Sequence, residues 1–219
     1  MTSIGICSGP APVIDSVRWE NGKASFTLDE NSNFVLMMDL YFPLGYTMPV
    51  ILLADTGQSF CSHFKLIVGS EEYKACYKAF WAAMQEEGKK RGWPEIIVQP
   101  VDEPGWQSRH ARELNLTLLK YLKEIPGQRT EQDGPGDDYF INQAGPWADI
   151  WNFNGGFANA DVMARVAREN RLATLYNCDV ESYRPEVGRY VTGFFQARSN
   201  SQGYYNWAFM SGGSNPYDD

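Results

Sequence analysis

Short apolar or aromatic runs alternate along most of this chain with longer segments of helical period. This order is typical of βα units, in which each strand of a parallel sheet is followed by a helix that covers the sheet. The run 49–54 (PVILLA) is apolar throughout, as expected for a strand buried on both faces. In the segment 70–91, apolar residues recur at three- and four-residue spacing, which predicts an amphipathic helix.

The same patterns extend the alternation over the rest of the chain. We predict seven strands, at 23–28, 49–54, 95–101, 127–130, 149–153, 173–178 and 204–209. Helices are predicted at 34–44, 70–91, 108–124, 158–170 and 186–199. An open doubly wound sheet is the competing arrangement, but it would normally carry a Gly-rich phosphate loop after its first strand, and this sequence has none.

We therefore predict an α/β fold, a (β/α)8 TIM-type barrel over residues 16–219, with residues 1–15 as a tail or linker. The chain has 219 residues, whereas a typical barrel has about 250. A clear first strand–helix unit is lacking, so the barrel is either incomplete at its N-terminal end or begins in an irregular segment.

Charge and composition exclude several classes of function. The chain has 19 Lys and Arg against 27 Asp and Glu, a net charge of −8, so we expect no nucleic-acid or anionic-membrane partner. No apolar run reaches the roughly 18 residues of a membrane span, and residues 1–15 lack the features of a signal peptide. We expect a soluble protein, either cytoplasmic or secreted from a longer precursor.

The cysteines do not form a metal-binding or redox motif. Cys7, Cys61, Cys76 and Cys178 are scattered, without a CxxC pair, and the chain has only two histidines. A tetrahedral zinc site needs four such ligands at close spacing. We therefore expect reduced, structural thiols, no metal and no cofactor.

The functional face of a barrel is the rim at the carboxyl ends of its strands. Acidic residues follow four strand candidates: Asp55, the pair Asp102–Glu103, Glu131 with Asp133, and Asp179 with Glu181. Aromatic residues make up 14% of the chain, and an aromatic face beside polar groups suits the C–H face and hydroxyl edge of a sugar. This combination predicts a carbohydrate-hydrolase cleft, with a carbohydrate as the partner and Asp55 among the substrate-binding candidates.

The pair Asp102–Glu103 is the sharpest signal. Glycosidic cleavage needs a proton for the leaving oxygen and a negative group near the oxocarbenium-like centre. Adjacent side chains of a strand point to opposite faces, so two consecutive carboxylates share a pocket only where the backbone bends, and Pro104–Gly105 supply that bend. In the structural alternative, Asp102 caps the turn and Glu103 is solvated.

Other candidates carry a similar choice. Asp179 and Glu181, two residues apart, form either a nucleophile or substrate clamp, or the cap of the helix that follows. Tyr205 and Trp207 act either as a sugar platform or in core packing. Trp151 flanks a Gly- and Asp-rich segment that resembles a rim loop.

The runs EIIVQPVDEPGWQSRHARELNLTLLKYLKEIPGQRT and GRYVTGFFQARSNSQGYYNWAF, with FVLMMDLYFPLGYTMPVILL upstream, resemble the catalytic barrel of family 123 glycoside hydrolases. The resemblance covers about residues 20–219 and consists of the order of its motifs: a strand that ends in Asp-Glu, a helix, a short strand with Thr, an Arg-bearing helix and a Gly-Tyr-Tyr-x-Trp strand.

This resemblance implies a retaining exo-β-N-acetylgalactosaminidase or related hexosaminidase, in which the 2-acetamido group of the substrate is the nucleophile. It also implies that Glu103 is the acid and then the base, and that Asp102 orients the acetamido group. Pocket residues implied by the resemblance are Tyr176, Asn177, Tyr205 and Trp207.

Two alternatives stay open. A two-carboxylate retaining glycosidase would pair Glu103 with Glu181 or Asp179 as the nucleophile. A barrel that binds carbohydrate without turning it over would need no acid at position 103.

Overall fold

The structure is a computed structural model that describes residues 17–21, 23–26, 30–31, 33–41, 43–45, 49–53, 65–154, 157–177 and 185–206. Its strands are β1 (Val17–Glu20), β2 (Lys23–Phe26), β3 (Val50–Leu53), β4 (Ile96–Gln99), β5 (Glu131–Gly134), β6 (Ile150–Asn154), β7 (Leu172–Asn177) and β8 (Gly203–Asn206). Its α-helices are α1 (Asn33–Tyr41), α2 (Glu71–Arg91), α3 (Arg109–Lys123), α4 (Ala160–Arg168), α5 (Pro185–Arg189) and α6 (Gln196–Ser199). Short 3-10 or π-helical turns occupy Pro104–Trp106, Tyr139–Ala144, Gly145–Trp147 and Tyr190–Phe195.

Strands β3 to β8 all run parallel, and their spatial order follows their order in the chain. They form a two-stranded sheet, β3–β4, and a four-stranded sheet, β5–β6–β7–β8. A single parallel bridge between Val98 and Thr130 joins the two sheets. Tyr205 of β8 packs against the same apolar cluster as Ile51 of β3, so the sheet surface is strongly curved.

The predicted (β/α)8 barrel is wrong. Among the described residues there are six parallel strands in two sheets, and β8 makes no ladder with β3, so no closed eight-stranded cylinder exists there. One reason is the predicted strand 23–28, whose residues 23–26 pair antiparallel with β1 around the turn at Asn21 and form a separate hairpin. That segment therefore adds nothing to the parallel sheet. The predicted tail, 1–15, lies outside the described residues.

The fourth predicted strand is displaced along the chain. The sequence analysis placed this strand at 127–130, but the strand is Glu131–Gly134, with the sequence EQDG. All four residues of this strand are buried. Its pairing with β6, from Glu131 opposite Ile150 to Gly134 opposite Phe153, imposes the extended form on residues with low strand propensity.

The helices cover the outer face of the sheet. Helix α2 begins at the N-cap Ser70, whose hydroxyl accepts from the Tyr73 amide, and ends at Gly92 with a φ of 74°, which favours glycine. Its buried face packs with α1, α3 and the outer residues of β3 and β4 in one apolar core. A second core lies outside β6 and β7 and includes Trp151 and Phe153.

The buried thiol of Cys76 belongs to the first core. Burial raises the pKa of that thiol to about 12, so it is unreactive at neutral pH. No helix in the described part of the chain combines the length and the apolar character that crossing a membrane requires.

Candidate functional site

The inner face of the sheet, defined here as the face that carries Ile51, Ile97 and Ile150, changes character from one end to the other. These three isoleucines form an apolar cluster near the amino ends of the strands. Alternation of side chains along a strand places the next inward residues one step closer to the carboxyl ends. These residues are polar and buried: Gln99, Asp133, Asn152 and Thr174. Glu131, also buried and polar, lies one step below them, opposite Ile150.

The register aligns these polar residues across neighbouring strands. Asp133 lies opposite Asn152, and Asn152 lies opposite Thr174. Tyr176 follows two residues later on β7, next to the carboxyl end. The polar layer therefore leads directly to the edge where the acidic loop after β4 begins.

Glu103 lies in that loop, with a left-handed backbone at φ 42° and ψ 49°. It precedes the turn Pro104–Trp106. Its amide donates a hydrogen bond to Oδ1 of Asp133, at 2.8 Å. The bend predicted from Pro104–Gly105 is therefore present, and the strand β5 fixes it.

The carboxyl group of Glu103 is half-buried and points toward β7. Its Oε1 accepts a hydrogen bond from the hydroxyl of Tyr176. Strand β5 therefore holds the backbone of Glu103, through Asp133, and strand β7 holds its side chain, through Tyr176. Tyr176, one of the predicted pocket residues, is thereby in direct contact with Glu103.

Two further carboxyl groups lie beneath Glu103. Burial raises the pKa of Asp133 well above its ordinary value, and the charge of Asp102 raises it further. Burial likewise raises the pKa of Glu131, with a contribution from the charge of Asp133. We expect this pair to retain a proton at pH values at which exposed carboxyl groups are fully ionised.

Asp102 is exposed at the mouth of this acidic cluster, which comprises Asp102, Glu103, Glu131 and Asp133. Its backbone oxygen accepts a hydrogen bond from the side-chain amide of Gln107, which closes the loop. Because Asp102 raises the pKa of both buried carboxyl groups, its charge faces them. The charges of Asp102 and Glu103 both raise the pKa of Asp133.

The rim loops beside this cluster pack closely. A Cβ on Gly105 would lie 2.8 Å from Cδ of Pro135, in the loop after β5. A Cβ on Gly136 would lie 3.9 Å from the backbone oxygen of Phe157, in the loop after β6. Trp106 contacts Phe157 edge to face, with ring centroids 5.9 Å apart.

The structure does not bring every predicted residue to this site. Trp151 is fully buried on the outer face, where its indole donates to the backbone oxygen of Gly145, so its predicted contact with substrate is wrong. Tyr205 packs on the isoleucine cluster of the inner face. Asn177 ends β7, and only its backbone is described. Outside the described residues lie Asp55, Asp179, Glu181 and Trp207.

A cavity of about 130 Å³ opens at the opposite end of the inner face. Apolar side chains from the amino ends of the strands line it, together with Arg129 and Tyr205. The acidic cluster lies outside this cavity. Among the described residues that line it, Arg129 is charged, and its guanidinium is paired with Glu95 at 3.2 Å.

Sequence reasoning missed Trp106 and Phe157, and it gave Glu131 and Asp133 no separate role. The two acids were placed at the rim, in the segment after the predicted strand 127–130, whereas the structure buries them within β5. A usable signal was present, since acids two residues apart beside Gln132 follow the period of a strand with one polar face. The two aromatic residues are single rings in loops, and no sequence periodicity marks them.

Fold and site define the chain as a parallel α/β protein with a carboxyl cluster at the carboxyl ends of its strands. In open α/β sheets, ligands bind at that edge. Within the described ranges, no three His, Cys, Asp or Glu side chains are grouped so that they could hold a metal ion.

Comparisons with models of protein families and with curated proteins found no match. Among solved structures, the chain is similar to the clostridial cellulose synthase subunit Z from Clostridioides difficile. The identity is 13% and the TM-score 0.44, over 85% of this chain and 75% of that one. At this level of similarity the likeness defines neither the fold nor the substrate of this chain.

Proposed function

We propose that this chain is a glycoside hydrolase in which Glu103 is the general acid. The observation that supports the proposal is the convergence on Glu103 of the Asp133 carboxyl group and the Tyr176 hydroxyl at the carboxyl ends of parallel strands. The general acid of a glycosidase is a carboxyl group with a second carboxyl group nearby. Glu103 has that environment.

The contacts suggest how the proton transfer is arranged. Tyr176 engages Oε1 of Glu103, and we assign the transferred proton to Oε2. Asp102, exposed on the same loop, provides negative charge beside the positive centre that develops as the glycosidic bond breaks.

The finer proposal is the substrate-assisted mechanism that the resemblance to family 123 implies. The 2-acetamido oxygen attacks the anomeric carbon while the glycosidic bond breaks and Glu103 protonates the leaving oxygen. Water then attacks the anomeric carbon while Glu103 removes a proton from that water. The bond between the anomeric carbon and the acetamido oxygen breaks, which releases the acetamido group. Asp102 orients the acetamido N–H in both steps.

The test is hydrolysis of aryl β-glycosides with and without a 2-acetamido group, by the wild type and by Glu103→Gln. Removal of a general acid lowers turnover by about 10²- to 10⁴-fold. We expect that loss with poor leaving groups and a smaller one with good leaving groups, since these need no proton. Glu113→Gln, on the exposed side of α3, is the matched control and should keep full activity.

A loss below tenfold on poor leaving groups contradicts the role of Glu103. A wild-type chain that binds sugars but hydrolyses none is a carbohydrate-binding protein, and the proposal fails. A thiazoline that mimics the cyclised intermediate should inhibit the substrate-assisted enzyme and leave a two-carboxylate enzyme unaffected.

A further inference from the structure

Two large aromatic side chains are exposed beside the acidic cluster. Trp106 is 47% exposed and Phe157 44% exposed. Their rings meet at an interplanar angle of 61°, so each supports the other and leaves part of its face to solvent. We call these two residues the aromatic rim pair.

The fold fixes the pair close to Glu103. The amide of Trp106 donates to the backbone oxygen of Glu103 at 3.0 Å, which places the indole on the same turn as the proposed acid. Phe157 lies three residues beyond the end of β6. The contact between Gly105 and Pro135 holds the turn against the neighbouring loop, so the pair stands on packed backbone.

Trp147, another exposed tryptophan in the described part of the chain, has a different setting. It precedes β6 at the amino end of the sheet, and the ammonium group of Lys120 lies over its ring at 5.3 Å. A structural cation–π contact therefore accounts for the position of Trp147. Trp106 instead presents its ring at the edge where substrate would enter.

We propose that the aromatic rim pair is a subsite for a pyranose ring next to the bond that Glu103 cleaves, so that the substrate is an oligosaccharide or a longer glycan. The position of the subsite rests on the proposed function. The C–H face of a pyranose is apolar and matches an indole face in size, while Asp102 and Gln107 of the same loop can accept and donate hydrogen bonds at the hydroxyl edge.

The first experiment measures binding without turnover. In the Glu103→Gln background, titration calorimetry is performed with chitotriose, cellotriose and β-1,4-galactotriose. We expect at least one trisaccharide to bind, and Trp106→Ala to weaken that binding by at least about tenfold, since it removes most of an aromatic face. Trp106→Phe, which keeps a ring, should retain affinity within about threefold, and Trp147→Ala should have no effect.

Phe157→Ala provides a second route, because it removes the other ring without altering the turn that carries Glu103. Its affinity should also fall. Binding of no trisaccharide, or affinity unchanged in both Trp106→Ala and Phe157→Ala, overturns the proposal.

The second experiment separates this inference from the proposed function. In the active background, Trp106→Ala should lower kcat/KM for the trisaccharide but leave hydrolysis of a monoglycosyl fluoride within about twofold. The small fluoride leaves the neighbouring subsite empty, and a loss of uniform binding affects only substrates that occupy the subsite. Equal loss on both substrates overturns the neighbouring-subsite assignment. If trisaccharide binding depends on Trp106 but no substrate is hydrolysed, the subsite is supported and the proposed hydrolase function is refuted. If hydrolysis depends on Glu103 but not on Trp106, the hydrolase function is supported and the subsite is refuted.

Discussion

Glu103 has a backbone conformation that residues with a side chain rarely adopt, because Cβ approaches the following carbonyl oxygen. Glycine would relieve that strain but would carry no carboxyl group. The bonds to Asp133 and Tyr176 hold the residue from two sides. Strained backbone of this kind concentrates at active sites, where the surroundings determine it. The arrangement therefore agrees with a catalytic role for Glu103.

The raised pKa of Glu131 predicts how stability changes with pH. Because the folded state holds its proton more tightly than the unfolded state, ionisation destabilises the fold as pH rises above about 4, the ordinary range of a glutamate. Glu131→Gln removes this penalty at nearly constant shape. We expect the melting temperature of the variant to exceed that of the wild type by several degrees at pH 8 and by less at pH 5, measured by calorimetry.

Glu113→Gln, an exposed change of the same kind, should leave the melting temperature nearly unchanged at both pH values. If Glu131→Gln instead lowers the melting temperature more at pH 8 than at pH 5, then Glu131 is ionised and stabilised in the folded chain. Asp133, whose pKa is raised in the same direction, should leave some pH dependence in the variant.

Among the secondary-structure elements, the sequence predicted the helices and strands whose local pattern of apolar residues matches the faces that are buried. Helix α2 was found almost residue for residue because its apolar spacing, its N-cap Ser70 and its terminal Gly92 all agree. Strands β3 and β4 are apolar on both faces and were found as readily. The hairpin β1–β2 was missed as a unit, since one of its strands was assigned to the parallel sheet.

Strand β5 shows why the site itself was only half predicted. Its conformation comes from pairing with β6, a contact across the chain that no local pattern records. The acids at the end of β4 were identified because an apolar strand precedes them. Glu131 and Asp133 were placed at the rim, but their burial within a strand was not predicted, because EQDG is polar. Polar residues that are buried in a functional site interrupt the hydrophobic pattern from which strands are predicted, so sequence analysis does not recognise such strands.

Gly105 links two rim loops, and its substitution tests that packing. Gly105→Ala would bring Cβ within 2.8 Å of the Pro135 ring, so the turn that carries Glu103 has to move. Overpacking of this kind lowers the free energy of unfolding by about 1–3 kcal/mol. We also expect hydrolase activity to fall by more than tenfold, because the acid is displaced from Tyr176.

Gly193→Ala is the control, since a Cβ there meets nothing within 4 Å. Its unfolding free energy should not fall, because Ala at an exposed helical position is more stable than Gly by about 0.5–1 kcal/mol. Urea denaturation gives the stabilities, and an aryl-glycoside assay gives the activities. Wild-type stability and activity in Gly105→Ala would show that the rim loops are loosely packed.

At the scale of the whole molecule, the two parallel sheets meet at a seam between β4 and β5. Only the Val98–Thr130 bridge crosses it as regular pairing in the described part of the chain. The buried side chain of Gln128 supplies what the ladder lacks: its amide donates to the backbone oxygen of Ile96 at 3.0 Å. Its own oxygen accepts from Gln85 of α2 at 2.8 Å. The acidic cluster spans the same seam, since Glu103 follows β4 and Asp133 belongs to β5.

Gln128→Leu keeps the side-chain volume and removes these hydrogen bonds, which leaves the Ile96 carbonyl without its side-chain donor. An unpaired buried carbonyl reduces the free energy of unfolding by about 1–3 kcal/mol. We expect that loss in urea denaturation, together with faster hydrogen exchange at the Val98 amide, which bonds to Arg129 across the seam. Leu175, inside the second core, should lose less protection. Gln143→Leu, at an exposed position, should alter neither quantity.

Unchanged exchange at Val98 would show that the backbone bridge and helix packing hold the sheets together without Gln128. A reduced denaturant slope would show that the two sheets then unfold separately, because less surface is exposed in each transition.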